Sequence, residues 1–230
     1  MKLMKRLFLL IFMSVGAGLF AQANDQPGVA AYIASGAQSH LLELLNKSAM
    51  VSPAVAAPLG KNWFRLVTDA HIFSDEVSVR QVSAVFTDFV NHEKNFTGKK
   101  SILAATVVST GQGGTVVDFL STTIAPMGIK IKAPYRAAVT VYQNTDTKAS
   151  VGIRQVDSDN ATNNTVKGMY TIRYAEAVTV NGKTYTYIRL YVIDDVNGSI
   201  MPNAKGILES QSGPAILEAI ELIVRAAKSK

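Results

Sequence analysis

The chain has 230 residues and no cysteine, with 23 Lys+Arg against 17 Asp+Glu. Three of the basic residues, Lys2, Lys5 and Arg6, stand at the start, so the rest carries an excess of only three positive charges. That excludes the clustered basic stripe of a nucleic-acid binder, and the lack of cysteine excludes disulfides and a thioether-linked lipid anchor.

After Arg6, residues 7–15 (LFLLIFMSV) form an apolar core, followed by small residues and the A-x-A pattern Ala21-Gln22-Ala23. A basic start, an apolar core and a small-residue cleavage site are the parts of a signal peptide. The core is shorter than the roughly 20 apolar residues that span a bilayer. The expectation is cleavage after Ala23 and export to a periplasmic or secreted location. Export without disulfides points to a bacterial envelope.

Residues 24–61 are rich in Ala, Ser, Gly and Pro and read as an N-terminal extension with one short helix over 38–47. There Leu41, Leu42, Leu44 and Leu45 make one apolar face, and Pro53 and Pro58 then interrupt the pattern. From residue 62 to 230 the signals become regular. Residues 63–73 read as a strand. Residues 76–91 read as a helix, with Val79, Val82, Phe86 and Phe89 at helical spacing and Ser74 or Asp75 as its cap.

Strands follow over 101–109 and 115–123, flanking a glycine-rich turn at 111–114. A strand follows that turn rather than a helix, so it is no phosphate-cradling loop. Over 128–142 the apolar set Ile129, Ile131, Ala133, Tyr135, Ala137, Val139 and Val141 alternates with a polar set. Pro134 implies an edge or a bulge in that strand. Further strands are expected over 149–156, 167–180 and 183–193, with Asn181-Gly182 as a two-residue hairpin turn and residues 157–165 as a polar hairpin tip. After Gly213-Pro214, a helix starting at Ala215 places Ile216, Ile220, Ile223 and Ala227 on one stripe. The class is α+β: a curved antiparallel sheet of about seven strands gripping a long C-terminal helix.

This order of elements resembles the helix-grip fold of the START-like superfamily (SRPBCC, Bet v 1-like, polyketide cyclase and lipid-transfer proteins). The local likeness lies in VSAVFTDFVNHEKNF over 82–96, which includes Asp88 and His92, and in Gly198-Ser199 and Pro202 before the last helix. The resemblance covers residues 63–230 and implies a deep, mostly apolar cavity between sheet and helix. The expected ligand-binding walls are Phe119, Ile129, Ile131, Tyr135, Val139, Ile188, Leu190, Ile216 and Ile220.

Catalytic signatures are absent from the sequence. His40, His71 and His92 fall on unrelated elements without metal-ligand spacing, so neither a metal nor a cofactor is expected, and no G-x-S-x-G occurs. His92 reads as a surface or helix-end histidine. Asp118 is expected to face solvent while Val117 and Phe119 point inward. Tyr185, Tyr187, Arg189 and Tyr191 form one row, expected on the outer face with Arg189 stacked between tyrosines. The parity of Arg154 and Arg173 is left open.

Three functional readings remain. The first is an exported binder or carrier of a hydrophobic small molecule or lipid, making transient contact with a membrane surface. The second is a cyclase- or hydratase-type enzyme using a cavity Asp, Tyr or Arg. The third is an envelope protein-interaction module with a filled core.

Overall fold

The structure, a computed structural model, describes residues 49–52, 54–111, 114–124, 130–156, 166–199 and 203–230. The expected signal peptide at 1–23, the expected helix at 38–47 and the expected polar tip at 157–165 lie outside the described residues. Among these described residues, nine strands form one antiparallel sheet. They are β1 (Ala49–Val51), β2 (Val55–Gly60), β3 (Trp63–Ser74), β4 (Ser101–Gly111), β5 (Gly114–Ile124), β6 (Lys130–Asn144), β7 (Lys148–Gln155), β8 (Val166–Val180) and β9 (Lys183–Asn197). The order is β1-β3-β9-β8-β7-β6-β5-β4, with β2 also paired to β3.

The seven expected strands are β3 to β9. The two others come from residues read as an extension: β1 and β2 both pair antiparallel with β3. Pro58 is tolerated because β2 pairs only with β3, and its register slips between Pro58 and Gly60. Pro134 pairs with Leu120 of β5, and among the described residues the pairing of β6 with β7 begins at Ala137, three residues farther on. Asn181 and Gly182 both take positive φ, 51° and 78°, as a tight hairpin between β8 and β9 requires.

The helix expected over 76–91 is shorter, α1 (Val79–Phe86), and a separate short helix, α2 (His92–Asn95), follows the expected segment. The cap of α1 is Ser78 rather than Ser74 or Asp75, because Ser78 and Gln81 satisfy each other's backbone N–H groups in a reciprocal box. Between the helices, Asp88 accepts hydrogen bonds from the backbone N–H and side-chain amide of Asn91 at 3.0–3.1 Å. The C-terminal helix, α3 (Ala204–Ala227), starts eleven residues earlier than Ala215, with Gly213 and Pro214 inside it. Pro214 removes one intrahelical donor. Burial of apolar side chains on both sides of it outweighs that loss, since Leu208 packs against the small core of β2 and β3, and Ile216 against the main core.

The core lies between the sheet and the three helices. Ala137, Ile188 and Ala175 from the strands meet Val82, Val85 and Phe86 of α1 and Ile220 and Ile223 of α3, all fully buried. The alternate residues of β8 and β9 point to the opposite face of the sheet.

Candidate ligand cavity

The inner sheet face and α3 diverge away from this core, leaving a cavity of about 300 Å³. Its walls come from Leu66 and Thr68 of β3, Leu190 and Val192 of β9, Ile153 of β7, and Ile207, Ile216 and Ala219 of α3. The packed core beyond Ile188 closes one end. Exposed Lys100 and Gln211 border the other side, where the turn before β4 meets α3. That rim is fastened by Glu218, whose carboxylate accepts from the backbone N–H of Lys99 at 2.7 Å and of Lys100 at 2.8 Å.

Besides lining hydroxyl residues such as Thr68, Thr171 and Ser212, a guanidinium and a carboxyl group reach the cavity at two places. At the closed end is Arg173 of β8, only 2% exposed. One terminal nitrogen, Nη1, donates to the Phe86 carbonyl at the end of α1 at 2.9 Å, and Nη2 lies 3.2 Å from His92 Nε2. Its guanidinium also covers the Phe96 ring at 4.8 Å. The Nε–H is buried and has no acceptor among the described residues. Burial pulls Arg173 down to about 10, so it stays charged at neutral pH. His92 is pulled down to about 3, by burial first and then by the Arg173 charge. It is therefore a neutral imidazole, which accepts from Arg173 through Nε2 and carries its proton on Nδ1.

Asp194 of β9 marks the second place. Leu190 is the β9 partner of Arg173, and Asp194 is four residues farther along, about 13 Å at ~3.3 Å per residue. Its Oδ1 is buried without a hydrogen bond among the described residues. Burial, and then the neighbouring Asp195 carboxylate, pushes Asp194 up to about 7. Between the two stands Tyr135, whose phenol is pushed far up by burial and then by the Asp194 charge, with Arg173 opposing. Its ring stacks on Phe119 at 5.2 Å. Arg173 and Asp194 form no ion pair.

Of the expected wall residues, Tyr135, Leu190 and Ile216 border the cavity. Phe119, Val139, Ile188 and Ile220 are buried in the adjoining core. Ile129 and the side chain of Ile131 lie outside what is described. Asp118 faces solvent as expected, paired with Arg136 at 2.7 Å, with Val117 and Phe119 buried. The Tyr185–Tyr191 row lies on the face away from the cavity, but Tyr187 and Arg189 are buried there. Arg189 is bound to Asp69.

Sequence reasoning missed three polar residues. His92 is a helix-end residue, as expected, but it is 1% exposed rather than on the surface, because Phe89, Phe96 and Phe119 enclose its ring. Asp194 was within reach: the inward parity of Ile188, Leu190 and Val192, carried one residue beyond the expected strand end, arrives at it. Arg173 was within reach too: the expected Asn181-Gly182 hairpin pairs Val180 with Lys183 and, counted back without a shift, Arg173 with the inward Leu190.

No protein-family model matches the chain, and no curated protein matches it in sequence. Solved structures do. Human STARD10 superposes with a TM-score of 0.51 at 9% identity, covering 76% of this chain and 73% of that one. Human StAR-related lipid transfer protein 5 gives 0.49 at 11% identity, with 86% and 98% covered. The Zhui aromatase/cyclase from Streptomyces sp. R1128 gives 0.48 at 14% identity, with 71% and 94% covered. The likeness to STARD10, with the continuous antiparallel order of β3 to β9 and the long last helix, assigns this chain the START-like helix-grip fold.

Proposed function

We propose that this protein is an exported carrier that holds a hydrophobic small molecule or lipid between the sheet and α3. The observation that supports this reading is the cavity itself: about 300 Å³, with a wall that is mostly apolar. That is the general composition of a small-molecule pocket. Holding apolar surface away from water is the whole mechanism, at roughly 25 cal/mol per Å² covered. An open interior also speaks for a carrier over a module with a filled core. Export is supported by the charge, apolar core and A-x-A pattern of residues 1–23.

One observation favours a second reading, an enzyme of the cyclase or hydratase kind. Asp194 is pushed up to about 7 beside Tyr135, and a carboxyl near neutrality suits general acid–base work.

The test is native mass spectrometry of the protein purified from the envelope of its expressing host, followed by organic extraction. A bound hydrophobe is expected, with the protein beginning at Asn24. Ala219→Phe, which projects a ring into the cavity from α3, is expected to abolish retention while leaving the fold intact. A protein that carries nothing and takes up nothing from a panel of neutral and charged lipids sinks the carrier reading. A chain that keeps residues 1–23 in the cytoplasm overturns export.

A further inference from the structure

Arg173 is a buried cation, and among the described residues no carboxylate lies against it. Its two terminal nitrogens contact a backbone carbonyl and a neutral imidazole, neither of which cancels charge. An uncompensated buried charge is costly, and here it stands with a free Nε–H at the wall of a cavity. The carboxyl that borders the same cavity, Asp194, is about 13 Å away along β9 and does not pair with it.

Resting on the ligand-binding reading above, we propose that the ligand is a single-chain carboxylic acid. Its carboxylate pairs with Arg173 at the closed end, and its chain runs along Leu190, Val192 and Ile216. Three observations select this class. The positive charge at the closed end is one, because His92, beside Arg173, is neutral. A carboxylate supplies one negative charge, whereas a phosphate monoester brings up to about two. Planar guanidinium also matches planar carboxylate in charge-assisted hydrogen bonds. Finally, about 300 Å³ is the low end of the small-molecule range, about 300–1,000 Å³, which suits one chain rather than two.

The head-inward orientation follows from where the polar groups lie. Arg173 is on the side of the packed core of α1 and Ile188, whereas exposed Lys100 and Gln211 border the cavity elsewhere. The acid therefore enters with its carboxylate leading.

The experiment uses the full chain and three probes of equal length: tetradecanoic acid with a carbon-13 carboxyl, its methyl ester, and tetradecanol. The acid is expected to bind at least about tenfold more tightly than the ester or the alcohol. Its carboxyl resonance is expected to remain that of the ionised form below the pH at which the free acid protonates. Arg173→Met is expected to bring the acid down to the affinity of the ester while leaving the ester unchanged. Equal binding of the three probes overturns the anionic head and leaves the carrier reading standing. No binding of any of them, nor of the neutral panel, overturns both. The carbon-13 titration is made on the unmutated protein, so it decides the proposal even where Arg173→Met does not fold.

Discussion

Arg189 and Asp69 meet by two points on the sheet face opposite the cavity, Nε to Oδ1 at 3.0 Å and Nη2 to Oδ2 at 2.6 Å. They lie on neighbouring strands, two residue pairs out of direct register, as a diagonal pair on one face. His71 Nε2 sits 3.3 Å from the same carboxylate, and His71 Nδ1 lies 2.7 Å from the Tyr187 hydroxyl. Burial raises the Asp69 carboxyl, but hydrogen bonds from His71 and Arg189 outweigh that and leave it below the usual carboxylate value.

Breaking a buried pair by removing one partner is strongly destabilising. Asp69→Asn is expected to cost about 3 kcal/mol in urea unfolding at pH 7, with no change in slope. Because the folded value is depressed, this contribution is present above about pH 4 and fades as pH falls through the lowered value. The difference between the two proteins should therefore shrink in acid. An undiminished difference at pH 3 would show that the carboxylate is not its source.

Asp194 has the opposite sign. Its folded value, about 7, lies above the unfolded 3.8. Between those values the unfolded chain releases a proton that the native state keeps, so stability falls as pH rises across that window and levels off above it. Asp194→Asn removes the effect. Its Tm is expected to match the unmutated protein near pH 4 and to exceed it by roughly 5 °C near pH 8. Equal Tm differences at both pH values would mean that Asp194 is ionised throughout.

Glu218 joins the cavity rim to α3. Gly98 leaves it room, since a Cβ there would come within 2.4 Å of its Oε2. Glu218→Ala frees two N–H groups at an exposed turn, where water replaces the lost acceptor, so the expected cost is about 1 kcal/mol. Hydrogen exchange should show the amides of Lys99 and Lys100 released while those of β8 and β9 remain protected. Unchanged exchange at those two amides would rule out the fastening.

The β8–β9 turn requires positive φ at Gly182, 78°. Gly182→Ala is expected to destabilise by about 1 kcal/mol through backbone strain alone, since nothing lies near an added Cβ. A loss much larger than that, measured by thermal unfolding, would point to an unfavourable contact instead.

By itself the sequence determined the α+β class, the order of strands β3 to β9, the Asn181-Gly182 hairpin and the alternation that turns Tyr135 and Leu190 inward. These follow from local spacing, because a strand has a period of two and a helix of 3.6, and neither needs a distant partner to be seen. Tertiary structure decided what depends on residues far apart in the chain. β1 and β2 are strands because β3 offers an edge to pair with, despite Pro58. The helix α3 passes through Gly213 and Pro214 because burial against the sheet outweighs one missing hydrogen bond. His92 becomes buried and neutral because Phe89, Phe96, Phe119 and Arg173 converge on it from separate elements. The site's chemistry was the least legible part for the same reason. Periodicity tells on which side of the sheet Arg173 and Asp194 lie, but whether each faces water, the other or an apolar cavity depends on the distant side chains that surround it.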